Sequence, residues 1–181
     1  MSKIQRFIKK ESGFTIFELL VVMFILTLLS SVVLAGYRSG QKRYSLYQAA
    51  QRLASDVRRA QNMAISGVDI AGNYYGYGVY AVADGSSYLI YGDTDNTSDY
   101  QPTDTTVETI YLPNNVKIKE TVPDAGKADV FFRPPDPDTY LNGVSGSYNE
   151  PIVITLELIG TSLTKTITVA ATGLVEVSAA P

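Results

Sequence analysis

The chain has 181 residues, 45% of them hydrophobic and 18% charged, with a formal net charge of −3 at pH 7. That composition suits one ordinary globular domain with an appendage and excludes a disordered or collagen-like chain. It contains no cysteine and no histidine, which excludes disulfides, thiolate metal sites, cysteine nucleophiles and every histidine-dependent triad or zinc centre.

Charge is unevenly placed along the chain. Residues 1–13 are net +3 and residues 38–59 net +5, whereas residues 60–181 hold 5 basic against 15 acidic residues. Such asymmetry points to different surroundings for different segments.

From Phe14 to Tyr37 the sequence reads FTIFELLVVMFILTLLSSVVLAGY, 24 residues with Glu18 as the single charge. As a helix rising ~1.5 Å per residue, this segment is roughly 36 Å long, enough to cross a bilayer. A small soluble domain rarely spares so long an uncharged run at one end, so membrane insertion is expected. One processing route is a secretory signal cut after Val33-Leu34-Ala35, which releases a soluble β domain with a binding or enzymatic role. Another is an uncleaved anchor presenting a ligand-binding domain. Glu18 fits neither well, because a carboxylate at that depth costs about 2–3 kcal/mol even on gentle insertion scales and needs a partner or a purpose. Its bland reading is snorkelling to the interface, four residues inside the run.

The segment Gly13-Phe14-Thr15-Ile16-Phe17-Glu18-Leu19-Leu20-Val21-Val22, behind the basic Lys3, Arg6, Lys9 and Lys10, closely resembles the prepilin signal of type IV pilins and type II secretion pseudopilins. The resemblance implies cleavage between Gly13 and Phe14 by a prepilin peptidase, N-methylation of Phe14, and an assembly role for Glu18 as the fifth mature residue. In that family the glutamate meets the terminal amine of a neighbouring subunit and sets axial register. The partners so implied are other pilins, the prepilin peptidase and, before assembly, membrane lipid. Because Arg38, Lys42 and Arg43 flank the other end of the run, loop charge barely selects an orientation. A leader in the bacterial cytoplasm, one pass through the inner membrane, and a β domain in the periplasm or on a surface filament follow from the resemblance.

Gln41 to Ile65 reads as a further stretch of helix. Leu46, Ala50, Leu53, Val57, Ala60 and Ala64 recur at spacings of 4, 3, 4, 3 and 4, one apolar stripe. Gly36 and Gly40 lower helix propensity at the join, and Gly67 makes a stop. Arg38, Lys42, Arg52 and Arg59 share one face; a solvated or headgroup-facing surface is expected there. Nucleic acid is not expected as a partner, since the acidic domain attached to it repels phosphate.

Past Gly67 the pattern changes to short β-rich runs. Strands are predicted at Tyr77–Ala83, Tyr88–Tyr91, Glu108–Leu112, Val116–Glu120, Val130–Arg133, Ile152–Leu158, Thr164–Val169 and Val175–Val177, separated by turn signals such as Asp84-Gly85, Pro113-Asn114-Asn115 and Asn142-Gly143. Asp136-Pro137-Asp138 reads as a turn. The expected fold is α+β: a long N-terminal α-helix packed on an antiparallel β-sheet or β-sandwich. Its divisions are a leader at 1–13, a membrane or filament-core helix at 14–37, an amphipathic continuation at 38–67 and an acidic β domain at 68–181. Within the family, Arg58-Arg59-Ala60-Gln61-Asn62-Met63-Ala64-Ile65, Phe131-Phe132-Arg133-Pro134 and Ile167-Thr168-Val169 with Thr172-Gly173-Leu174-Val175 are similar to GspH/FimT-like minor pilins. Members that take up DNA carry arginines in the closing glycine segment; Gly173 to Val177 carries none.

Asp93, Asp95, Asp99 and Asp104 stand at positions 1, 3, 7 and 12 of an EF-hand-like count. Hard oxygen ligands at that density suit Ca²⁺, and some pseudopilins use calcium to order a loop, but position 6 is Ser98 where such a loop wants glycine. Asp, Asn, Ser and Thr also make good exposed turns. No motif frames a catalytic group, the carboxylates are too many to single out an acid and a base, and no enzyme activity is expected. The 13 tyrosines read first as strand and core packing.

Overall fold

The computed structural model describes residues 13–67, 74–135, 138–145 and 150–179. One helix, α1 (Ile16–Ser66), is followed by ten strands: β1 (Gly76–Val82), β2 (Ser87–Asp93), β3 (Thr105–Tyr111), β4 (Val116–Val122), β5 (Lys127–Arg133), β6 (Asp138–Leu141), β7 (Val144–Ser145), β8 (Ile152–Leu158), β9 (Thr164–Val169) and β10 (Val175–Ala179). The chain separates into two compact units, Met1–Gly40 and Gln41–Pro181.

In the first unit, Thr15 caps the helix: its hydroxyl accepts the Glu18 N–H at 3.2 Å and its carbonyl accepts the Leu19 N–H. Thr15 and Glu18 occupy the two ends of a T-x-x-E capping box. Ile16–Leu34 is a 19-residue stretch with mean hydropathy 2.6, long and apolar enough to cross a membrane. Helical structure continues through Gly36 and Gly40 without a break and stops at Ser66, where Gly67 takes φ +60° as a helix stop requires.

In the second unit the predicted stripe is the buried face of α1. Ala50, Leu53, Val57 and Ala60 are fully buried, and Ala49 and Ala54 widen the stripe. Two antiparallel sheets complete the core, one in the order β3-β2-β1-β5-β6-β7 and one in the order β10-β9-β8-β4. The period of two sends Tyr77, Val79 and Ala81 of β1, Tyr88 and Ile90 of β2, and Ala128, Val130 and Phe132 of β5 into the core. Ile152, Ile154, Leu156 and Leu158 of β8 meet them from the second sheet, as their alternation predicts. Polar ties fix the helix to its surroundings: Arg59 Nη1 lies 2.6 Å from Glu108 Oε2, Arg58 Nη2 donates to Val175 O at 2.7 Å, and Tyr88 OH donates to Asp56 Oδ2 at 2.6 Å.

The sheet count differs from the sequence reading, which finds eight strands. Asp138, assigned to a turn, opens β6, and β6 and β7 form a hairpin on Asn142-Gly143, both with positive φ. That pair of left-handed residues is what a two-residue hairpin demands. The short, proline-flanked β6 carries too little periodicity to be read as a strand. Asp136 and Pro137 lie outside the described residues, as do residues 1–12 and 68–73.

Candidate functional site

Two regions bear the sequence expectations. The first is the processing segment. Gly13 and Phe14 precede the helix, and Phe14 is 78% exposed. Glu18 sits in the first turn of α1 with its side chain exposed. A carboxylate there complements the positive end of the helix dipole, and three residues separate it from Phe14. Through the span, Thr27 donates to Phe24 O at 2.8 Å and Ser31 to Leu28 O at 2.8 Å, so these hydroxyls are satisfied inside their own helix.

The second region is the acidic loop after β2, lying over the face of the first sheet opposite the core. Tyr91 on β2, Gly78 on β1, Phe131 on β5 and Tyr140 on β6 stand in one cross-strand row. Gly78 is glycine because the Tyr91 ring lies across it: a Cβ there would stand 2.5 Å from the ring. Tyr91 and Phe131 are fully buried, with ring centroids 6.2 Å apart. Tyr100 of the loop packs on Tyr80 at 4.5 Å and on Tyr91 at 5.3 Å. The result is a second apolar layer, roofed by the loop.

Asp129 is the polar centre of that layer. It is 1% exposed, and its carboxylate accepts the Tyr91 hydroxyl at 2.7 Å and the Tyr100 N–H. Burial pushes its carboxyl up to about 7, although both of those hydrogen bonds favour the charged form. Burial and the adjoining carboxylate also push the Tyr91 hydroxyl well above its ordinary range. The sequence reading passed over Asp129; the signal was a lone carboxylate in the apolar run Ala128-Asp129-Val130-Phe131-Phe132.

Of the four predicted calcium ligands, Asp93, Asp95 and Asp104 gather, each offering an oxygen within 4.8 Å of the others. Asp99 is not in that group, and its Oδ2 takes the Gln101 side-chain amide at 3.0 Å. The buried Asp93 accepts the N–H groups of Asp95 at 3.0 Å, Asn96 at 2.7 Å and Ser98 at 3.1 Å, and burial raises its carboxyl against those three donors. Asp104 accepts the Thr94 and Gln101 N–H groups at 3.0 and 2.7 Å. The loop is therefore already tied by its own backbone. Its spacing fits a hard cation, but three carboxylates are only part of the six to eight oxygens that calcium takes. Ser98 adopts φ +66°, the left-handed conformation for which glycine is preferred at that point of the count. Arg133 Nη2 donates to Asn96 Oδ1 at 2.8 Å and to Ser98 Oγ, clasping the loop to β5.

Two arginines of the predicted basic face have partners within the domain, Arg59 on Glu108 and Arg52 within 3.9 Å of Asp56. No curated protein and no solved structure matches the chain. A family model does match: residues 8–34 fit the prokaryotic N-terminal methylation motif, which covers Lys9, Lys10, Gly13, Phe14, Glu18 and the span. Together with the apolar helix that follows, this motif supports a type IV pilin-like protein and is consistent with membrane anchoring by the N-terminal segment.

Proposed function

We propose that the chain is a minor subunit of a type IV pilus or type II secretion pseudopilus, of the GspH/FimT kind. A prepilin peptidase cuts between Gly13 and Phe14 and methylates the new amine, and Glu18 sets the register of the helix against neighbouring pilins. The leader faces the bacterial cytoplasm, the span rests in inner-membrane lipid until assembly, and the acidic β domain is displayed outside. The work is assembly, without catalysis or nucleic-acid binding. Any cofactor of this reading is Ca²⁺ at the Asp93 loop.

The observation that carries the reading is the conjunction of the matched motif at 8–34 with a capped helix that places one carboxylate, Glu18, in its first turn. A free amine and a carboxylate are each costly in lipid and cheaper together, which gives cleavage at Gly13 a physical purpose. The test is mass spectrometry of the N-terminus of protein recovered from cells with an active prepilin peptidase. N-methylated Phe14 is expected, and Glu18→Ala should retain processing while losing incorporation into filaments. A start at Gly36 refutes the proposal in favour of a secreted domain.

A further inference from the structure

Among the described residues the first sheet ends at β3, whose one strand neighbour is β2. Beside the end of β3 lies a groove of about 560 Å³, between Ile110 to Pro113 on one side and Tyr47, Gln48, Gln51 and Arg52 of α1 on the other. Its floor is apolar, with Ala49, Tyr88 and Ile110 buried, while Tyr47 and Tyr111 stand 48% and 75% exposed. Arg52 is 61% exposed along its side chain, and its nearest carboxylate, Asp56 at 3.9 Å, already accepts the Tyr88 hydroxyl. The groove thus offers an unpaired strand edge, an apolar floor and a largely exposed cation, Arg52, whose ion pair with Asp56 is long at 3.9 Å.

Among the described residues, the chain has one other edge suited to it. β7 has two residues, and β4 is held on its outer side, where Asp84 N–H donates to Ile118 O and Ile118 N–H to Gly85 O, both at 2.9 Å. Among the described residues β10 has β9 as its one strand partner, and Arg58 Nη2 takes only its first carbonyl, that of Val175. Val175 is buried in the core, whereas Glu176 on β10 and Leu174, the residue just before the strand, are exposed two residues apart. An apolar side chain followed at strand spacing by a carboxylate matches an aromatic groove followed by Arg52.

We propose that the β3 edge and its groove receive the β10 edge of a second copy of this chain, with Leu174 against the groove floor and Glu176 on Arg52. The contact is head-to-tail: after pairing, the copy that contributes β3 keeps its β10 edge open, and the copy that contributes β10 keeps its β3 edge open. One strand pair covers less surface than the ~1,200 Å² of a stable standard interface, so it operates between copies already held side by side by their membrane helices. This inference rests on the pilin reading above.

The absence of cysteine lets thiols be placed freely. Full-length chains carrying Thr109→Cys on β3 and Ser178→Cys on β10, with different tags, are co-expressed in membranes and treated with a short bismaleimide. The mixed dimer is expected at least threefold above either variant alone. Arg52→Glu should reduce it at least threefold, and Glu176→Arg in the partner chain should restore it. Cross-linking of Thr109→Cys mainly to itself overturns the proposal in favour of a two-fold β3 pair. Product insensitive to both charge reversals, or absent altogether, overturns it outright. The N-terminus of the same material is read in parallel: methylated Phe14 without cross-linking removes only this contact, whereas an unprocessed or Gly36 start removes the pilin reading itself.

Discussion

Replacing Asp129 with asparagine is expected to change how stability depends on pH. The folded protein holds the Asp129 proton up to about 7, while the unfolded chain releases it near 3.8. Between those values the native state binds more protons than the unfolded state, so stability is full below ~4, falls as pH rises to about 7, and then levels. At about 1.4 kcal/mol per pH unit, the fall amounts to roughly 4–4.5 kcal/mol. Asparagine keeps the geometry: its oxygen accepts the Tyr100 N–H and its amide donates to the Tyr91 oxygen, with no proton to lose. The groups that face this carboxyl are Tyr91 on β2, Tyr100 and Asp99 in the loop, and Lys127 on its own strand. Urea unfolding of the full chain in detergent, followed by near-ultraviolet dichroism of the tyrosines, measures both proteins from pH 4.5 to 8. Asp129→Asn should lose this component of the slope and gain relative to the natural chain by several kcal/mol at pH 8. Parallel profiles would refute the reasoning.

Gly78→Ala sets a methyl 2.5 Å from the Tyr91 ring, and a loss of about 1–3 kcal/mol is expected in the same unfolding experiment; an unchanged midpoint contradicts the packing described for the outer face. Calcium is tested with the exposed Asp95. Millimolar Ca²⁺ is expected to raise the melting temperature of the natural chain and to do so less in Asp95→Asn, as binding to the native state requires; equal shifts, or none, eliminate the loop as a calcium site.

The helix and its buried stripe were legible because a 3.6 period is a local signal and survives in a single sequence. Leu46, Ala50, Leu53, Val57, Ala60 and Ala64 are all buried as read. So was the alternation of β8. The second apolar layer was not, because it depends on cross-strand neighbours: Gly78 acquires its meaning only from Tyr91 and Phe131, far along the chain. The same reason hid Asp129 among many acidic residues, since burial, not identity, distinguishes it. The acidic loop was half legible. Its count placed Asp93, Asp95 and Asp104 together, but the hydrogen bonds that turn Asp99 elsewhere are set by a fold that counting does not contain.

The hydroxyls of Thr27 and Ser31 have a consequence for travel between solvents. Each is bonded to a carbonyl of its own helix, so neither asks anything of its surroundings. At those two positions the helix presents the same greasy exterior to acyl chains and to protein side chains. Exchanging one medium for the other breaks neither of these two bonds, whereas the carboxylate at Glu18 registers the difference.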